Sequence, residues 1–213
     1  MAITFPRAIP SELSDRLSGL TFTLKPMLEI SPLRSGRQIA LDIGPNLWLG
    51  EWRSEAMDAT KMGVARAWFD TLSSIQEFYG YDQYRQYPLA YANTGFLGGF
   101  TGTCTLTSVT LPYTIVLGSL PAGFILSPGD YLSFDYTSGT TVRALHRVSE
   151  GGTASGGGSL TIEVRPAVRS GFAGGATVTV FRASARMIVL PESYSENINA
   201  SVGSISFKAI QTL

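Results

Sequence analysis

The side chains that most often carry chemistry are scarce in this chain of 213 residues, which has one histidine, His146, and one cysteine, Cys104. A single imidazole excludes His-cluster metal sites, and a single thiol excludes an internal disulfide framework or a Cys-rich zinc site. His146 lies in an alternating run over 142–149. Val142, Ala144, His146 and Val148 share the more apolar face, and Arg143, Leu145 and Arg147 share the other. That pattern predicts a structural histidine hydrogen-bonded inside the fold. As a general base it needs a nucleophile, and no sequence signature supplies one. Cys104, between Thr103 and Thr105 on an expected strand, reads as a buried, inert thiol. Two carboxylate pairs have the types that glycosidases use, Asp130/Asp135 and Glu51/Glu55. Asp130, however, sits in a Pro-Gly-Asp turn, where aspartate serves local hydrogen bonds. The glycine-rich run 95–102 lacks the Lys-Ser/Thr ending of a phosphate loop and precedes no helix pattern. The run 151–158 passes from strand to strand and reads as a flexible loop tip. The expectation is a protein that is not an enzyme, with no catalytic, cofactor-binding or metal-binding residues.

The most unusual local feature is aromatic: FYGYDQYRQYPLAY over 78–91. Tyrosine and arginine are enriched where proteins touch. Trp68, Tyr81, Tyr84, Arg85, Tyr87 and Tyr91 are therefore candidate subunit contacts. Two readings stand side by side: contact between subunits, or a segment packed on its own helix with hydroxyls at the rim. A stacking platform for single-stranded nucleic acid is weaker, because Asp82 offsets Arg85. Phe124, Tyr131, Tyr136 and Phe172, near loops, suit either a carbohydrate-binding face or the core of a small barrel. The core is the favoured reading.

Hydrophobic residues make up 44%, enough for a sizeable core, and charged residues only 15% against roughly 25% in a typical soluble domain. Lys+Arg and Asp+Glu are both 16, a balance that argues against a bulk basic field for nucleic acid and against disorder. No run of 18 apolar residues predicts a membrane span, and MAITFPRAIP does not read as a secretory signal. So sparsely charged a surface suits a subunit that buries much of itself against others.

Strand patterns precede and follow one helical stretch. Alternation appears over 20–24, 27–30 and 38–49, with interruptions at Pro26 and Gly44-Pro45. From Met57 the apolar positions Met57, Val64, Trp68, Leu72 and Ile75 fit a helix, widened by Ala65 and Phe69. Asp58 or Thr60 could cap it and Gly80 could end it. Six short strands follow, over 103–109, 113–117, 131–136, 142–149, 160–165 and 177–181, separated by turn signals. They predict a small closed barrel, OB-like or similar, or a sandwich. Strands over 187–190 and 204–210 resume the earlier style. Sixteen of the 23 glycines but only nine of the 32 charges lie in 95–183. This shift predicts a discontinuous domain, 1–94 plus 184–213, interrupted by an inserted all-β domain, 95–183, with boundaries near 93–95 and 183–186.

MAITFPRAIP, LEISPLRSGRQIALDIGPNLWLGEW, the helix with Ala67-Trp68-Phe69, the ending GSISFK and the inserted SPGDYLSFDY…ALHRVSEGG together carry a resemblance. The chain resembles the distal tail proteins of long-tailed phages and phage-derived gene transfer particles. The resemblance implies a tail-tube-like β-sandwich flanked by an α-helix, with a small β-barrel inserted. It further implies a hexameric ring at the distal end of the virion tail, made in the bacterial host cytoplasm. Its implied partners are other copies of itself, the tail tube protein, a tip hub and docked fibres. DNA only passes through the lumen, and no membrane insertion is implied. Neighbouring roles as hub or tube protein belong to the same resemblance. A neutral wall around a DNA conduit agrees with the balanced charge, since basic contacts would retard passage.

Overall fold

The computed structural model describes residues 3–72, 75–92, 99–110, 112–172, 174–199 and 201–213. In chain order these form α1 (Ser11–Ser14), β1 (Leu17–Pro32), β2 (Gln38–Ser54), β3 (Met57–Asp58), α2 (Ala59–Thr71), β4 (Phe78–Gly80) and a single 3-10 turn (Leu89–Tyr91). Then come β5 (Thr103–Thr110), β6 (Thr114–Gly118), β7 (Ile125–Leu126), β8 (Tyr131–Ser138), β9 (Thr140–Glu150), β10 (Gly152–Thr153), β11 (Leu160–Arg165) and β12 (Thr177–Thr179). The last strands are β13 (Ala185–Val189), β14 (Ser195–Asn199) and β15 (Val202–Gln211). The fold is mainly β, as the strand patterns predict. An antiparallel sheet is flanked by one long helix, and a small barrel is added to it.

The sheet runs β1-β2-β15-β13-β4, with β3 and β14 also pairing with β15. β15 is central and keeps the predicted alternation: Ile205, Phe207 and Ala209 are buried on one face. That face also carries Trp52, which stacks on Phe207 with centroids 5.2 Å apart. Against it α2 places Met62, Ala65 and Trp68, and its C-cap residue Leu72, all buried. The Trp68 ring meets Phe78 edge-on at 5.3 Å, and its Nε1 donates to the Ala8 carbonyl at 3.0 Å. The indole N–H groups are thus satisfied without leaving the apolar layer.

The helix departs from its expected bounds. Met57 belongs to β3, paired with Gly203, and the helix begins only after Asp58, whose carboxylate accepts from Lys61 N at 2.9 Å. The expected stripe holds at Ala65, Trp68 and Leu72, which are buried; Val64 and Ile75 are exposed, Ile75 lying beyond the helix end, and Met62 is buried in the first turns. Gly80 ends no helix. It lies in β4, which pairs with β13, a long-range pairing that overrides the local pattern.

Neither proline breaks its strand. β1 and β2 run through Pro26 and Pro45 as one long hairpin, and both fall where Lys25 pairs with Leu47 and Met27 with Gly44. A bulge at a sheet edge is where a residue without an N–H is tolerated.

The barrel closes in the order β11-β6-β5-β12-β8-β9. Its interior holds Leu106, Ile115, Leu117, Leu132, Phe134, Ile162, Val164 and Val178. Residues 151–158 are not the flexible tip expected. Thr153 pairs with Ile125, Ala154 N donates to Phe124 O at 2.8 Å, and Leu120 N donates to Gly158 O at 3.1 Å. A Cβ on Gly151 would collide with Leu126 O, and one on Gly158 with Leu120 O, so glycine here permits close backbone approach. The sheet is built from strands within 17–80 and 185–211 and the barrel from strands within 103–179. The expected boundary at 93–95 lies outside the described residues.

Candidate interaction surface

The residues read as chemically capable are placed first. His146 is 3% exposed and stacks on Phe134 at 5.4 Å inside the barrel. Its Nδ1 is 2.9 Å from the Pro166 carbonyl, so that nitrogen carries the proton, and Nε2 has no partner among the described residues. Burial pushes its pKa down to about 4, with Arg169 adding to the shift. Cys104 is buried, and burial pushes its thiol up to about 12, which removes thiolate reactivity. Asp130 is fully buried. Its Oδ2 accepts from Ser127 N at 2.7 Å, and its Oδ1 accepts from Leu89 N at 2.9 Å and Arg85 Nη1 at 3.0 Å. Asp135 faces Arg143 at 3.6 Å and Glu51 faces Lys208 at 3.3 Å. Each of these carboxylates is engaged structurally. Among the described residues no group of three or more His, Cys, Asp or Glu could hold a metal ion. No helix among them is long and apolar enough to cross a membrane.

The aromatic segment divides: Phe78 packs on its own helix against Trp68, and Arg85, Leu89 and Tyr91 pack on the barrel. Asp130 reaches from the Pro-Gly-Asp turn to hold Arg85 and the start of the 3-10 turn. Tyr91 stacks on Phe124 at 4.8 Å, and its hydroxyl accepts from Ile125 N at 2.8 Å. Tyr87 meets Phe181 edge-on at 5.6 Å. Tyr81 is buried with its carbonyl accepting from Trp52 Nε1, and Trp68 is in the core. Trp68 is thereby withdrawn from surface contact, because its ring fills the layer between sheet and helix, and Tyr81 is nearly so, with Arg182 over its ring. Tyr84 is the outlier at 86% exposed. Of the four loop aromatics, Phe124 and Tyr136 are buried in the barrel core and Phe172 packs against it. Tyr131 points the other way. Odd positions of β8 face outward, and Tyr131 joins the sheet's core against Phe22 and Trp48.

That outward tyrosine belongs to the barrel–sheet junction. Arg147 lies over the Trp48 and Tyr131 rings at 4.9 and 5.0 Å and donates to the Phe22 carbonyl at 3.0 Å. Trp48 Nε1 donates to the Leu145 carbonyl at 2.8 Å. The barrel is therefore fastened to the base of the β1–β2 hairpin.

Beyond that base no described residue outside the hairpin pairs with it, and its side chains are largely exposed. β15 pairs with β2 only from Leu49 to Arg53, while β1 and β2 go on pairing as far as Pro32 and Gln38. The unsupported part is about 25 Å long at roughly 3.3 Å per residue. Cross-strand partners share a face, so Leu28 and Ile30 lie on one face beside Asp42 and Ala40. Ile39 and Leu41 lie on the other, beside Ser31 and Glu29, and alternation adds Ile43 to them. With Leu33 at the tip, these six apolar side chains are 44–59% exposed. The alternation predicts half-buried strands here, and the structure instead leaves apolar side chains on both faces exposed. Alternation records which residues share a face and leaves open what covers that face.

In comparison with known proteins, no family model matches the chain and no curated protein is significantly similar to it.

Proposed function

We propose that the protein is a structural ring subunit of the tail tip of a long-tailed phage or phage-derived gene transfer particle. Its copies close into a ring at the distal end of the tail. One face of the ring meets the tail tube, the other meets the hub, and the barrel lies outside, where fibres dock. Hexameric symmetry and these partners come from the resemblance of the sequence.

The observation that supports this reading is the uncovered hairpin arm. A two-stranded ribbon is marginal in water by itself, and this one displays apolar side chains on both faces and leaves backbone groups free along both edges. Completing the burial of six half-exposed large side chains is worth about 1 kcal/mol each, or several kcal/mol per arm, against the cost of association. A second copy supplies the cover and does so in every subunit alike. A contact between two different patches closes into a ring when its rotation allows.

Sedimentation velocity on the purified chain, alone and with its tube protein, tests the reading. Species several times the mass of the chain are expected. Leu41→Asp combined with Ile30→Asp, one substitution on each face of the arm, should leave a folded monomer. A wild-type chain that stays monomeric in both preparations overturns it.

A further inference from the structure

We propose that the cleft between the amino-terminal segment, β4 and the barrel–sheet connection is a binding site for a small oxyanion, such as a phosphate or a sugar carboxylate. This inference is independent of the assembly reading.

The cleft is lined by Ala8, Ile9, Tyr79, Tyr81, Arg143, Arg182 and Ser184 and has a volume of about 300 Å³. That is the lower end of the size range of ligand sites and suits a monosaccharide-sized molecule. Its lining holds two guanidinium groups, of which Arg143 is paired with Asp135 at 3.6 Å and Arg182 has no carboxylate partner among the described residues.

Both guanidinium groups are positioned by the protein. Arg143 lies over the Tyr79 ring at 5.1 Å, donates through Nε to the Ser184 carbonyl at 3.1 Å and through Nη2 to Ser133 Oγ at 3.3 Å, and pairs with Asp135 at 3.6 Å, so it shapes the cleft and Arg182 supplies the open donors. Arg182 lies 6.0 Å from the Tyr81 ring centroid. Its backbone N donates to the Gln86 carbonyl at 2.6 Å and its Nε to Gln86 Oε1 at 3.0 Å. The Arg182 Nη1 and Nη2 atoms make no hydrogen bond among the described residues, so two donors of a planar fork remain unspent. Such a fork matches the geometry of a carboxylate or phosphate.

Arg182 also carries backbone strain. Its φ is +46°, a conformation that L side chains adopt at a cost and glycine adopts freely. A large cationic side chain on such a backbone, tied through Nε to Gln86 and lining a cleft, is a local conflict of the kind found at ligand sites.

The strain supplies a test that separates folding from binding. Calorimetric titrations of the full chain would use inorganic phosphate, D-glucuronate and, as the neutral control, D-glucose. Arg182→Gly removes the fork and relieves the backbone, so its melting temperature should equal or exceed that of wild type. Its affinity for the oxyanions should fall about ten-fold or more. Arg182→Lys keeps the charge without the fork and should fall between the two. Binding of phosphate alone, or of glucuronate alone, supports the site and identifies the source of the anion. Glucose binding as well as glucuronate, full affinity retained in Arg182→Gly, or no binding of either anion at tens of millimolar overturns it.

Discussion

At the scale of single residues, the rare side chains serve the fold. His146 is held neutral by burial, and the sign of its pH effect follows. Its pKa is about 4 when folded against about 6.5 when unfolded, so the unfolded chain takes up its proton first as pH falls. Stability is complete well above the unfolded value and is lost between about pH 6.5 and pH 4. As the only histidine, His146 should account for a loss of about 2 kcal/mol between pH 7 and pH 5. Urea unfolding at the two pH values checks this, and His146→Phe should flatten the slope. Asp130 gives a second prediction. Asp130→Ala leaves Arg85 and two backbone N–H groups without their acceptor and should cost about 3 kcal/mol, read from the denaturant midpoint. The face occupied by His146 was legible from alternation, and the Pro-Gly-Asp turn showed Asp130 as a local acceptor. Their tertiary partners were not legible. Pro166 lies 20 residues from His146 and Arg85 lies 45 from Asp130, and only the closed barrel and its docked segment bring them together.

At the scale of elements, strands that alternate were readable and the strand-to-strand pairings were not. β15 and the six main barrel strands lie where their patterns place them. β4 was hidden because three residues carry no period, and the helix start was placed too early because Met57 is committed to a neighbouring strand. The sheet centre makes its own demand on sequence. A Cβ on Gly50 would collide with the ring of Trp52, which is sandwiched against Phe207. Gly50→Ala should therefore destabilise by about 2 kcal/mol, seen in thermal melts. The arm behaves oppositely. Leu41→Asp on its uncovered face should leave monomer stability within about 0.5 kcal/mol and act only on association. Circular dichroism melts and sedimentation of the same sample separate the two effects.

At the scale of the whole molecule, low charge and an uncovered apolar arm point to the same behaviour. If apolar burial drives assembly, 1 M NaCl should preserve or strengthen it, because screening removes little and burial is favoured. Sedimentation at low and high salt decides this. The composition suggested a subunit that hides its surface in others, and the uncovered hairpin is the surface that the proposed assembly would hide. The most direct measurement is single-particle imaging of the assembled protein. The account predicts closed rings in which the arm of each copy, residues 25–47, lies against its neighbour. Particles that remain single copies at every concentration, or rings whose arms project untouched into solvent, would contradict it.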